Sequence, residues 1–231
     1  NHHLLLRVNF PVKINATRAS YEIQFGNVER ETTSNHSWDT AKFEVCAHKW
    51  ADLSENGLGV SLLNDCKYGH SVKNGEMGLT LIKAGIYPNP DADMGVHEFT
   101  YSIYPHQGRW QEAATVEMAY GLNVPPVTAI VPGRGTGDSW SMVSIDQPNC
   151  FFETIKRAED GDGYILRLYE NRNARTWMKV SLGFAVRSVE ECDLLERPLR
   201  QVETGENGFG DFILPYEIKT YRIRTGLPIG K

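Results

Sequence analysis

The chain lacks the features that mark membrane, nucleic-acid-binding and disulfide-built proteins. None of its apolar runs approaches the roughly 18 residues needed to span a bilayer. Positive charge is not in excess: 24 Lys and Arg against 29 Asp and Glu give a formal net charge of −5, so no general affinity for nucleic acid is implied. Cysteine is scarce. Cys46, Cys66, Cys150 and Cys192 are widely spaced and form no CxxC pair. A chain of this size buries a core without disulfides, which predicts free thiols in a reducing compartment. The first residues show no basic segment followed by an apolar run and a cleavage site, so no signal peptide is read there. His2 and His3 are adjacent and would point to opposite sides of a strand, which argues against a metal pair.

Familiar catalytic signatures are missing as well. No GxSxG marks a nucleophile elbow. The glycine-rich Gly133-Arg134-Gly135-Thr136-Gly137 lacks the Gly-Lys-Ser/Thr of a phosphate loop and reads as a connector. Two carboxylate pairs, Asp91 with Asp93 and Asp160 with Asp162, sit in Pro- or Gly-rich stretches where Asp is favoured for turns. Counting Asp160 as the first position of a calcium loop puts Asn171 where a glutamate is needed, so that pattern fails. Apart from the adjacent His2 and His3, the seven histidines lie in different segments, and no HExxH is present.

What remains is an ordinary globular composition, 41% hydrophobic and 23% charged, patterned for strands. Leu4, Leu6, Val8 and Phe10 alternate with Leu5, Arg7 and Asn9 until Pro11. Tyr21, Ile23 and Phe25 repeat the pattern, and the polar stretch 28–39 reads as an exposed loop. The central stretch Phe43–Gly69 reads as strand, turn, strand, turn. Phe43, Val45 and Ala47 alternate with polar neighbours, Asn56-Gly57 is a turn signal, and the apolar run Val60–Leu63 breaks at Asn64-Asp65. Further strands are predicted over 76–83, 99–103, 142–145, 150–156, 164–169, 177–182 and 218–224, with 190–196 as a joining segment. One helix is predicted over 110–120, with Trp110, Ala114 and Met118 on one face and Gly121 as its stop. The spacing predicts an all-β antiparallel sandwich with one short helix, a single β-sandwich region over 1–231.

The central stretch also carries a resemblance. AHKWADLSE followed by GVSLLNDCKYG is similar to the C-terminal β-domain of class II α-mannosidases, glycoside hydrolase family 38, in its cytosolic and bacterial branch. The likeness continues in order through DADMGVHEFTYSIYPHQGRWQEA, ETIKRAEDGDGYILRLYE and LPYEIKTYRI, covering nearly the whole chain. It implies a large antiparallel sandwich grouped with galactose-mutarotase-like folds. It implies a cytoplasmic parent enzyme that removes terminal α-linked mannose with retention of configuration. The nucleophile and the zinc ion would belong to a catalytic domain preceding this segment. Accordingly, no catalytic residue, zinc site or other cofactor is expected here, and the isolated segment is expected to be inactive. The expected partners are that N-terminal catalytic domain and a mannose-containing oligosaccharide, with homo-oligomerisation open and no nucleic acid or membrane. The acceptor triplets at Asn15 and Asn35 are expected to be unused.

The resemblance singles out the loop after Leu63 and the strand end near Lys83 as parts that reach toward the sugar. The candidate rim contacts are Asn64, Asp65, Lys67, Tyr68, His70 and Lys83. Some family members carry arginines near that strand end where this chain has Lys83-Ala84, so no arginine contact is carried over. Candidate domain-interface residues are Arg30, His36, Trp38, Asp93 and His97, Trp38 reading equally as a cover for the sheet edge. Two other classes stand beside this reading. An independent carbohydrate-binding module would use exposed aromatics among Trp38, Trp50, Trp110, Trp140 and Trp177, of which Trp50 and Trp177 also read as core. A mutarotase-like enzyme would use His97 with Asp93 or Glu98.

Overall fold

A computed structural model describes residues 4–130 and 139–225, together with 132, 133 and 137. His2-His3 and residues 134–136 of the glycine-rich connector lie outside the described residues. The single region read from the sequence is described by the structure as two compact units, Asn1–Ala129 and Ile130–Lys231.

The first unit holds β1 (Leu4–Pro11), β2 (Arg18–Ile23), β3 (Gly26–Glu31), α1 (Ser37–Ala41), β4 (Val45–Cys46), β5 (Trp50–Glu55), β6 (Leu58–Asn64), β7 (Gly69–Lys73), β8 (Glu76–Ala84), β9 (Tyr101–His106) and α2 (Thr115–Asn123). Two antiparallel sheets form, in the orders β1-β8-β7-β4 and β3-β2-β5-β6-β9. Their facing side chains make one core. Tyr21, Leu53 and Leu62 come from one sheet and Val72, Met77 and Leu79 from the other. This arrangement is a sandwich, and it hides from water the apolar side of each alternating strand.

The second unit holds β10 (Val143–Ile145), β11 (Cys150–Arg157), β12 (Tyr164–Glu170), β13 (Thr176–Leu182), β14 (Val186–Cys192), β15 (Pro198–Val202), β16 (Thr204–Gly205), β17 (Gly208–Ile213) and β18 (Ile218–Thr225). Its sheets run β10-β13-β17-β16 and β11-β12-β18-β14-β15. Leu166, Leu168 and Tyr221 of one meet Met178, Val180 and Phe209 of the other in a second core.

Several elements differ from the sequence reading, each for a local reason. The strand that enters the Asn56-Gly57 turn is Trp50–Glu55, not the Phe43–Ala47 stretch, of which only Val45 and Cys46 pair. Trp50, Ala51, Asp52 and Leu53 are all buried, because β5 is covered on both faces, and that erases the alternation. The supposed loop 28–39 begins as edge strand β3, whose Glu29 and Glu31 pair with Arg18 across the hairpin. The helix starts at Thr115, after a turn over 109–114. Met118 is exposed while Thr115, Val116 and Ala119 are buried, so the Trp110–Ala114–Met118 face does not form. Gly121 lies within the helix; its last turn is held instead by Asn123, whose Nδ2 donates to Ala119 O at 2.8 Å. Segment 190–196, read as a connector, contributes Glu190–Cys192 to β14.

Candidate functional site

The loop after β6 is organised by Asn64. This residue is 1% exposed. Its Oδ1 accepts the backbone N–H of Cys66 at 3.1 Å and of Lys67 at 2.6 Å, and its Nδ2 donates to His48 O at 2.9 Å. The amide therefore builds a turn, as Asx side chains do. Asp65 clasps the neighbouring segment: both carboxylate oxygens accept Thr100 N–H at 3.0 Å, and Asp65 N–H donates to Thr100 O at 3.1 Å. Partial burial works against the charge, but the bonds from Thr100 and Cys66 prevail and hold the Asp65 carboxyl below its ordinary range.

Beyond those two residues the loop turns outward. Lys67 places its Nζ 4.8 Å from the centre of the Phe99 ring, and Tyr68 is exposed and edge-on to His48 at 5.5 Å. Asn64, Asp65, Lys67 and Tyr68 line one small cleft of about 80 Å³ with His48, Lys49 and Asn123. Beneath its edge, Lys49 bonds the buried Glu22 carboxylate at 2.8 Å and sits 4.6 Å over Tyr120. Burial pushes the Glu22 carboxyl up despite that ammonium partner.

His70, expected on the rim, is fully buried on β7. Its Nδ1 lies 3.1 Å from Tyr68 O, and because a carbonyl only accepts, Nδ1 carries the proton. Nε2 then accepts from Asn64 Nδ2 at 3.4 Å. Burial drives the imidazole down to about 4, so it stays neutral and structural. The alternation of His70 and Val72 with exposed-side neighbours on a strand of five residues is too short to stand out in sequence.

Lys83 is exposed at the far end of β8, and it does not line the loop cleft. Its backbone N–H donates to Asp93 Oδ2 at 3.0 Å, and His97 Nε2 donates to Asp93 O at 2.9 Å. The imidazole thus meets the carbonyl of Asp93 and not its carboxylate, and the His–carboxylate pair wanted for a mutarotase-like site is not formed there. Arg30 stacks its guanidinium 4.9 Å over the Tyr21 ring and lines a separate pocket of about 120 Å³ with Asp39 and Lys73. His36 Nδ1 lies 3.4 Å from Asp39 Oδ2, and Trp38 is 71% exposed, so Trp38 does not pack down on the sheet edge.

Sequence reading missed a buried polar layer between the second sheet and α2. It contains Asp52, Ser61, His106 and Thr115, all in the interior, together with Ser20, whose Oγ accepts Trp110 Nε1–H at 3.0 Å. Trp110 also stacks on Trp50 at 4.8 Å. The 109–123 segment covers the outward polar positions of β5 and β6. In the second unit, Asp211 accepts from Lys219 at 3.1 Å and Tyr221 Oη at 2.9 Å and pairs with Arg200. Burial opposes the Asp211 charge, yet these donors and the Phe212 N–H hold its carboxyl low. All four cysteines are free thiols, Cys46 and Cys66 exposed and Cys150 and Cys192 buried.

Among the described residues, no three His, Cys, Asp or Glu side chains converge as a group able to hold a metal ion. His70 uses both ring nitrogens within the fold and so offers no lone pair to a metal ion. No helix among the described residues is long and apolar enough to cross a membrane.

Comparison with known proteins agrees on one family. Residues 1–91 match the model described as "Glycosyl hydrolases family 38 C-terminal domain", and residues 149–221 match "Glycosyl hydrolases family 38 C-terminal beta sandwich domain". The chain is 44% identical over 199 residues to Alpha-mannosidase 2C1 of Homo sapiens, covering 85% of this chain and 19% of that protein. It is 42% identical over 226 residues to Alpha-mannosidase G of Dictyostelium discoideum, covering 95% of this chain and 21% of that one. It therefore spans about a fifth of the length of the curated relatives it matches. A crystal structure of an alpha-mannosidase from Enterococcus faecalis V583 superposes with a TM-score of 0.76 at 20% identity, over 94% of this chain and 25% of that one, which supports the fold. Two family models in chain order, with relatives of the same family along almost the whole length, place this chain in the C-terminal region of glycoside hydrolase family 38.

Proposed function

We propose that this chain is the C-terminal, non-catalytic part of a cytoplasmic α-mannosidase that removes terminal α-linked mannose from oligosaccharides with retention. The observation that carries the reading is the match of both units to C-terminal models of the family, beside relatives named as α-mannosidases. Retention needs two carboxylates about 5–5.5 Å apart, one nucleophilic and one acid/base. Three of the four Asp carboxylates that the sequence offered, Asp93, Asp160 and Asp162, have structural partners. Asp93 holds Lys83 N–H, and Asp160 and Asp162 bind Arg222 and Arg224 across strands. The nucleophile and zinc are accordingly assigned to the remainder of the parent polypeptide.

Under this reading the chain supports the catalytic domain and shapes the rim of the sugar pocket. Lys67 and Tyr68 are the rim candidates, because both project from a loop that Asn64 and Asp65 hold rigid; loops on rigid scaffolds are where binding groups concentrate. Exposed Trp38, with Arg30 and His36 nearby in sequence, is the candidate docking point for the catalytic domain. The free thiols agree with a cytoplasmic parent.

The test is hydrolysis of an aryl α-mannoside with zinc supplied. The 231-residue chain alone is expected to be inactive, and adding the separately produced catalytic part is expected to restore turnover. Turnover by the chain alone would overturn the assignment. In the full-length enzyme, Lys67→Ala and Tyr68→Ala are expected to raise KM with little change in stability; unchanged kinetics in both would remove the loop from the pocket.

A further inference from the structure

The outer face of the β13–β17 pair carries an aromatic platform that the mannosidase reading does not use. Along β13, Met178, Val180 and Leu182 point inward, while Trp177, Lys179 and Ser181 point out. The residues opposite them on β17 are Phe212, Gly210 and Gly208. Residues paired directly across two strands share a face, so Gly210 leaves a bare lane of backbone beside Lys179, while Gly208 is buried against β13. Trp177 leans diagonally into that lane. A Cβ on Gly210 would lie 2.9 Å from Trp177 Cζ2 and 3.3 Å from Cε2. The indole therefore rests against the Gly210 backbone and is still 63% exposed. A tryptophan with one side on protein and so much of its surface in water is a ready platform.

The platform borders a groove of about 920 Å³, which Lys179, Ser181, Glu203 and Asn207 also line. This volume is at the upper end of ligand clefts. The side chains supply donors and acceptors in one place, and the charges are mixed. Arg200 on the same groove is already tied to Glu191 and Asp211. A field without one dominant sign does not select an anion or a polyelectrolyte. It suits a neutral ligand that has an apolar side for the indole and hydroxyls for the groove wall. A pyranose ring has both: its axial C–H edge meets the negative face of the π-system, and its hydroxyls pair with amide, carboxylate and ammonium groups.

We infer that this groove is a carbohydrate-binding subsite of the second unit, in which Trp177 stacks on a pyranose ring of a short neutral oligosaccharide. It would hold glycan independently of any catalytic pocket. Glycine at 210 is part of the site, because a side chain there lifts the indole off the strand.

The experiment is a titration of the 231-residue chain with α-linked mannobiose and mannotriose, following tryptophan emission and confirmed by calorimetry. A saturable change is expected. It is expected to weaken at least tenfold in Trp177→Ala and in Gly210→Ala, with melting temperatures within a few degrees of the parent chain for Trp177→Ala. Trp38→Phe, in the other unit, is expected to bind as the parent does. No saturable change with either sugar, or equal affinity in Trp177→Ala, would overturn the inference. In the full-length enzyme, Trp177→Ala is expected to leave hydrolysis of a small aryl mannoside unchanged, so loss of this subsite and failure of the mannosidase reading give different results.

Discussion

His106 Nε2 and Asp52 Oδ2 stand 2.8 Å apart in the layer between the second sheet of the first unit and α2. Asp52 Oδ2 also accepts Ser61 Oγ at 2.7 Å, Ser54 bonds its other oxygen, and Ser61 Oγ pairs with Thr115 Oγ1 at 2.8 Å. One carboxylate thus ties β9, β5, β6 and α2 together. By residue type the set suggests nucleophilic catalysis, but its connectivity is wrong. In a catalytic triad the imidazole lies between the hydroxyl and the carboxylate, whereas here the serines bond the carboxylate directly. Gly59 belongs to the same arrangement, since a Cβ there would overlap the His106 ring.

Replacing Asp52 therefore tests a scaffold role. Asp52→Ala leaves an imidazole and two hydroxyls without their shared acceptor and is expected to cost about 3–5 kcal/mol in urea unfolding. Burial lowers the His106 pKa, but the bond and charge of Asp52 outweigh it and raise it overall. A raised folded pKa gives stability that is complete below the unfolded value, about 6.5, and is lost as pH rises through the folded value. Asp52→Asn is expected to lower the His106 midpoint followed by NMR and to flatten that part of the stability profile. An unshifted midpoint would show that Asp52 does not set the protonation of His106.

His70 gives the opposite slope. Its imidazole is pushed down to about 4 by burial, with smaller effects from the Tyr68 carbonyl, Glu44, Arg30 and His48. Between about pH 4 and 6.5 the unfolded chain binds a proton there that the folded chain does not, so stability rises with pH across that window. Acidification from pH 7 to 4.5 is expected to remove at most about 3 kcal/mol through this residue. The check is urea unfolding of the parent chain and His70→Gln at several pH values. The variant should be less stable at pH 7 and should show a shallower fall toward pH 4.5. Equal slopes would place the acid sensitivity elsewhere.

These two histidines also show where the sequence was readable and where it was not. Strands whose inner face meets a sheet and whose outer face meets water keep the two-residue alternation, and β13 was legible for that reason. At β5 the second face is covered by the 109–123 segment, so Trp50, Asp52 and Leu53 are all inside and no period survives. Asp52 and His106 are polar residues 54 positions apart, and nothing local in the sequence announces that a helix will close over both. Asn64 and Asp65 were recognisable as a polar turn, and the turn formed. The donation of Asn64 Nδ2 to His48 O depended on the position of His48, which only the folded chain sets. Trp177 was ambiguous because a tryptophan within a strand usually goes inward; its outward place follows from Met178 and Val180 taking the inner positions.

Asn64 offers the sharpest separation between a residue that builds the loop and one that contacts a ligand. Its side chain satisfies two backbone donors and one backbone acceptor, and its own carbonyl accepts Asn123 Nδ2 at 3.0 Å. Asn64→Ala removes the side-chain bonds in a site closed to water, where each unsatisfied group costs about 1–3 kcal/mol. The expected loss is about 2–4 kcal/mol, less than the summed penalties because the loop can relax and admit water. The amides of Cys66 and Lys67 should exchange with solvent markedly faster, while amides in β1 change little. Asn64→Asp keeps the two acceptor bonds but loses the donor to His48 O and buries a charge, so it is expected to be no better than alanine. A residue whose work was only to touch sugar would behave differently. It would leave unfolding and exchange untouched and alter KM alone, and that outcome for Asn64→Ala would return it to the rim of the pocket.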